Sequence, residues 1–215
     1  HSALRDLTTG KRNIAIGSGS MSDGIVVGED NIAVGTFALE DATKASGSIA
    51  IGHGAARQLT VAMGNIAVGS GSMGKGVVIG EAGSGYSHNI GLGTYALEDL
   101  TTGIDNVAIG TGAGANLDQG HRNIAVGSGS LGGQVRGDDN IGIGNIALRN
   151  ISTGDQNIGI GEGAAHRLST GNRNTAIGSG SMGRGTVTGE DNIAVGSSAL
   201  IELTSGKDNI GVGVG

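Results

Sequence analysis

Three stretches of the chain carry a glycine pattern that can cradle a phosphate: Gly69 to Gly74 (Gly-Ser-Gly-Ser-Met-Gly), Gly127 to Gly132 and Gly178 to Gly183. A dinucleotide site of that type needs a strand running into a helix and an acid downstream. Three equivalent copies in one repeat argue for structural glycine instead. The acidic pairs Glu29-Asp30, Asp138-Asp139 and Glu190-Asp191 could offer oxygen ligands to Ca²⁺. They lack the glycine-aspartate nonapeptide of calcium-binding rolls and read better as solvated charged corners. The five histidines, at 1, 53, 88, 121 and 166, share no metal-like spacing, and His121 and His166 are expected at solvated corners. No Gly-x-Ser-x-Gly nucleophile elbow occurs. Catalysis needs unlike residues converging once, whereas this chain repeats like residues. The expectation is a protein that is not an enzyme and uses no cofactor and no metal.

The elements that must position these residues are repeated ones. The pentapeptide Asn-Ile-(Ala/Gly)-(Ile/Val)-Gly, with variants at Ser48, Asn106 and Asn174, begins twelve times between Asn13 and Asn209. Successive spacings are 17 or 18 residues, apart from one of 24 between Asn65 and Asn89. A three-coil cycle is superimposed. One coil ends in Met21, Met73, Leu131 or Met182; the next carries Ala38-Leu39, Ala96-Leu97, Ala147-Leu148 or Ala199-Leu200; the third carries Gly54, Gly112 or Gly163. Four cycles of three give twelve rungs.

Each pentapeptide reads as a short strand, because Ile and Val favour a pleated backbone. Its second and fourth side chains share one side and the third takes the other. All twelve third positions are Ala or Gly, which predicts another backbone layer packed close against them and is compatible with chains packed about an axis. The Asn column could form an amide ladder or serve as a repeated turn residue. Leu59, Leu100, Leu117, Ile151, Leu168 and Leu203 are expected in the interior. Arg12, Arg122 and Arg173 precede one class of anchor, and Asp30, Asp139 and Asp191 precede the next. Opposite charges would thus neighbour each other from rung to rung, fixing register more than stability.

A unit of 17 residues is too short for a helical repeat or a propeller blade. It suits one coil of an all-β, parallel β-solenoid or β-roll, here twelve rungs and on the order of 58 Å long at ~4.8 Å per rung. Residues 1–215 are read as one repeat array, a piece of a longer fibre, with an insertion near 83–88 that breaks the period once. Because loops carry binding more often than rungs do, Tyr86 and His88, with Tyr95 nearby, are the candidate receptor contacts.

Composition agrees. The 46 glycines among 215 residues fall mostly in fixed columns, and there is no Pro, Cys or Trp. That excludes collagen and disulfide-stapled folds. A net charge of −6 with no basic run gives no footprint for nucleic acid. No apolar stretch approaches the eighteen or so residues of a membrane span, so no membrane insertion is expected.

Strings such as Ala96 to Gly114 (ALEDLTTGIDNVAIGTGAG) and Leu168 to Met182 (LSTGNRNTAIGSGSM) resemble the glycine-rich repeats of bacteriophage tail fibres. The Asn-Ile-Ala-Ile-Gly core is also similar to the head repeats of trimeric autotransporter adhesins, which form left-handed parallel β-rolls in three-chain bundles. The resemblance covers essentially the whole chain. It implies left-handed coils, a homotrimer, and attachment to a host cell-surface glycan or protein from a virion tail fibre or another extracellular surface. The 17-residue repeat and the Leu-Thr-Thr-Gly corner depart from the adhesin heads, which favours the phage fibres. A third reading is a solenoid that binds a repetitive surface, ice or a polysaccharide; outward Thr-x-Thr columns would mark the ice binder.

Overall fold

In the computed structural model, residues 3–5, 9–23, 28–76, 78–80, 84–183 and 187–215 are described; Gly83, at the start of the expected insertion, lies outside them. The apolar triplet of every pentapeptide is a three-residue strand, from Ile14–Ile16 to Ile210–Val212. Twelve such strands stack in parallel in one sheet. They lie residue over residue, Ile124 over Ile141 and Ala125 over Gly142, for example. A second, two-stranded parallel sheet pairs Leu59–Val61 with Val78–Ile79. The chain is a parallel β-solenoid of about eleven turns, with no helix among the described residues.

The third strand position faces inward: Ala33, Ala50, Ala67, Ala108, Ala176 and Ala194 are fully buried. The layer they meet is the chain's own turn. A Cβ built on Gly91 or Gly142 would stand 2.6 Å from the Ser72 or Ser130 hydroxyl and 3.2 Å from the carbonyl oxygen of Ala96 or Ala147, so the space there admits only the smallest residues. This corrects one expectation. The small-residue column packs inside each coil and does not face a chain-to-chain axis. The interior is completed by a column eight residues past each anchor, including Met21, Leu39, Met73, Leu97, Leu131, Leu148 and Met182. Leu59, Leu100, Leu117, Ile151 and Leu168 are buried as expected, and Leu203 packs partly buried against them.

Three backbone constraints hold the coil shape. The glycine closing each pentapeptide has a φ near +130°, and a Cβ on Gly127 would meet the next rung's Gly144 oxygen at 2.5 Å. The positive φ applies in all twelve copies and the close approach in the eleven below another rung, and together they account for the glycine column. In nine coils the residue three before the anchor is a glycine of ordinary φ, favoured by proximity alone, since at Gly120 a Cβ would stand 2.5 Å from Gly137 O; Ala45, Ala62 and Tyr86 take the position in the other three. Between these corners, the residue just before the anchor is left-handed whatever its type: Arg12, Asp30, His88, Asp105, Arg122, Asp139, Gln156, Arg173, Asp191 and Asp208 have φ of 45–60°. Each such residue costs about 1–2 kcal/mol relative to a right-handed one, so the stacking around it must supply compensation.

The Asn column supplies part of it as a continuous buried ladder. Asn140 Nδ2 donates to Asn123 Oδ1 at 3.1 Å and to Gly154 O at 2.9 Å. Asn140 Oδ1 accepts from the backbone N–H of Asn157 at 3.0 Å and from its Nδ2 at 3.1 Å. The same set recurs from Asn89 through Asn192. At Ser48 the ladder changes partners: Ser48 Oγ accepts from Asn65 N at 3.3 Å, and Asn65 Nδ2 donates to Ser87 Oγ at 2.6 Å. No buried side-chain nitrogen or oxygen among the described residues lacks a partner.

Candidate functional site

With Ala turned inward, the Ile and Val of the second and fourth strand positions turn outward. Ile51, Ile109, Ile143, Ile160, Ile177 and Ile193 are 36–40% exposed in the body of the stack. Three residues at ~3.3 Å and eleven steps of ~4.8 Å make a flat apolar face on the order of 500 Å² in projection. That is at the upper end of what monomeric soluble proteins expose, where such patches mark interaction surfaces. Its only threonine is Thr175.

The charged corner follows the expected alternation. Arg12 Nε donates to Asp30 at 2.5 Å and its Nη2 to Glu29 at 2.9 Å. Arg122 takes Asp139 at 2.7 Å and Asp138 at 3.4 Å, and Arg173 takes Asp191 at 2.7 Å and Glu190 at 3.4 Å. Hydrogen bonding to arginine, with its charge, holds the Asp30, Asp139 and Asp191 carboxyls below their ordinary value. The acidic pairs considered as calcium ligands are therefore engaged by arginine. Among the described residues no three histidines or carboxylates are grouped to hold a metal ion, and no helix is long and apolar enough to cross a membrane. His121 and His166 are half-buried; His121 Nδ1 accepts from the Ile104 N–H at 3.2 Å.

Of the three candidate contact residues, the structure brings two together. Tyr86 and His88 stack with ring centroids 5.2 Å apart, and His88 Nδ1 lies 3.6 Å from Asp105 Oδ1. His88 stands in a regular column, the left-handed corner above Gly64, whereas Tyr86, three residues before its anchor, bridges to Met63, which lies two before its own. Tyr95 stands past the other end of the strand Ile90–Leu92 and belongs to a different group. It lines a cleft of about 230 Å³ with His53, Arg57, Ser70, Lys75 and Glu98, floored by Gly71. Lys75 Nζ lies 2.6 Å from Glu98 Oε1, and its ammonium is held above its ordinary value chiefly by that hydrogen bond. Arg57 Nε donates to Glu40, and its guanidinium carbon sits 5.4 Å from the Phe37 ring centroid. Phe37 meets the His53 ring edge-on at 6.0 Å.

Sequence reasoning missed Phe37, His53, Arg57, Lys75 and Glu98. The signal was present in the columns. Phe37 and Tyr95 both lie six residues after an anchor Asn; Glu40 and Glu98 lie nine after the same anchors, and Arg57 nine after the anchor variant Ser48. Stacked coils turn equal offsets into neighbours, so column arithmetic finds this group where linear proximity had linked Tyr95 to Tyr86.

Comparison with protein-family models, with curated proteins and with solved structures finds no match to this chain.

Proposed function

We propose that this chain is a non-enzymatic fibre segment that gives length and rigidity and contributes to attachment at a cell surface. It works as a homotrimer of left-handed rolls of twelve rungs each. The observation that carries the reading is the outward Ile/Val face running the full length of the stack. Three copies turning these faces toward a common axis would remove them from water along the whole rod. Burial of apolar area is the main driving force of such association. The fibre reading takes its phage character from the resemblance of the repeat strings, and a tail fibre on a virion is the preferred setting. The head of a trimeric autotransporter adhesin is the alternative, since it would use the same face. Ice binding is disfavoured because the outward columns are Ile and Val. The partner is a host cell-surface glycan or protein, reached through corner residues and not through the sheet; nucleic acid is no partner of a chain with this charge.

Mass in solution tests the assembly. The expected species in sedimentation equilibrium is three times the chain mass of 20.9 kDa. A stable monomer at micromolar concentration would count decisively against the proposal.

A further inference from the structure

The chain has only three aromatic side chains, and two of them, Phe37 and Tyr95, occupy the same surface column. Both are held at φ 58°, in a left-handed conformation that glycine takes at Gly19, Gly54, Gly71, Gly112, Gly129, Gly163 and Gly180 in the equivalent place. Folding alone does not ask for a ring there: Ser198 fills the column in the fourth cycle with the same φ. Each ring lies against the glycine of the rung before it, Phe37 on Gly19 and Tyr95 on Gly71. Tyr95 is 48% exposed and walls the cleft described above.

Arg57, Lys75 and Glu98 line that cleft, Glu40 holds Arg57 from outside the lining, and the ion pairs are asymmetric. Glu98 and Glu40 have side chains only 15% and 7% exposed, while the Lys75 and Arg57 that they hold are 67% and 48% exposed. The carboxylates lie underneath and orient the cations, whose outward N–H groups are donors without acceptor capacity. Arg57 uses Nε–H on Glu40 and Lys75 uses one N–H on Glu98, leaving further donors on each. The two ion pairs balance in charge, and it is their orientation, carboxylates beneath and cationic N–H donors outward beside a ring, that distinguishes the cleft. The cleft is smaller than the roughly 300–1,000 Å³ of drug-sized pockets, which suits one sugar ring.

We propose that this cleft binds a single carboxylate-bearing pyranose, a uronic-acid unit of an acidic polysaccharide. The ring's apolar C–H face packs on Tyr95, whose π-face is electron-rich, and the sugar carboxylate takes charge-assisted hydrogen bonds from Lys75 and Arg57. Ser70 and His53 are placed for the hydroxyls. The inference rests on the attachment reading above and gives its partner a chemical class.

The test is a chemical-shift titration of the isotope-labelled full chain with sodium D-glucuronate, with D-glucose and sodium acetate as controls. The expected result is saturable shifts centred on Gly71, Lys75 and Tyr95, with a dissociation constant on the order of 1 mM for a ligand of about a dozen heavy atoms. Neither control should saturate, and affinity should fall in 0.5 M salt. Tyr95→Gly, which places the residue that column most often holds, and Lys75→Gln should each weaken binding at least tenfold while leaving the fold intact. Absence of saturable shifts at 50 mM glucuronate, equal shifts with glucose or acetate, or full binding by Tyr95→Gly would each overturn the inference. Sedimentation of the same samples separates the two proposals: a trimer that ignores glucuronate sinks this one alone, and a monomer sinks the fibre reading.

Discussion

Substituting Asn140 by alanine tests whether the amide ladder holds the coils in register. Asn140 makes four hydrogen bonds through its side chain: two donated, to Asn123 Oδ1 and Gly154 O, and two accepted, from Asn157 N and Nδ2. Their loss is not symmetric. Asn123 Oδ1 keeps the backbone N–H of residue 140, and Asn157 Nδ2 keeps Gly171 O and Asp155 O. The Asn157 N–H and the Gly154 carbonyl lose the side-chain partner that each has here, in an interior where Asn140 and Asn157 are fully buried. An unsatisfied buried group costs about 1–3 kcal/mol, so two place the expected loss at ~2–6 kcal/mol. Asn140→Ser should lose less, because Ser48 already occupies the column and still receives the next anchor's N–H. Urea unfolding followed by circular dichroism, at fixed protein concentration because assembly shifts apparent stability, gives the first readout. Hydrogen exchange at the Asn157 amide gives the second and is local, which matters in a stack whose coils contact only their neighbours. If Asn140→Ala lies within ~0.5 kcal/mol of the parent, with Asn157 protection unchanged, the ladder does not carry the register and the reasoning fails.

Other outcomes are expected from the same geometry. Gly127→Ala should fail to form stable coils, since its φ of +124° and the 2.5 Å approach of Gly144 O both oppose a Cβ, while Gly129→Ala, at φ +62° with Ile146 Cγ2 3.5 Å away, should cost only about 1 kcal/mol; parallel thermal melts distinguish them. Ile109→Lys together with Ile143→Lys should dissociate the assembly without unfolding the roll, because both residues are on the outward face; sedimentation with circular dichroism checks this, and retention of the trimer would refute the packing. Asp30, Asp139 and Asp191 have folded values below the ordinary 3.8, so the stability they add is present above that value and is lost as pH falls through the lower folded values. Melting temperature should therefore drop on acidification below about pH 4, and less steeply in Asp139→Asn, where one of these carboxyls no longer titrates.

Much of the architecture was legible because a solenoid converts sequence period directly into space. The interval between Asn123 and Asn140 is one coil, so the Arg122–Asp139 pairing follows from counting. The insertion was harder to read. Tyr86 and His88 both looked inserted. His88 holds a regular column one residue before its anchor, whereas Tyr86 bridges to Met63 one position out of column register, and no count of the sequence separates the two. The group around Tyr95 was hidden because Arg57 and Lys75 are remote in sequence and meet only across stacked coils.

By itself the sequence determined the period, the strand in each period, and the glycine corners, since β-branched alternation and obligatory glycines are local properties of the backbone. Tertiary structure alone decided which side of the strand is the interior. Alternation defines two faces and is silent on their direction. The Ser72 hydroxyl and the turn carbonyl of Ala96 lie so close behind Gly91 that only a small residue can face them. The larger Ile and Val are thereby sent outward, and the surface they make is the one on which the proposed assembly depends.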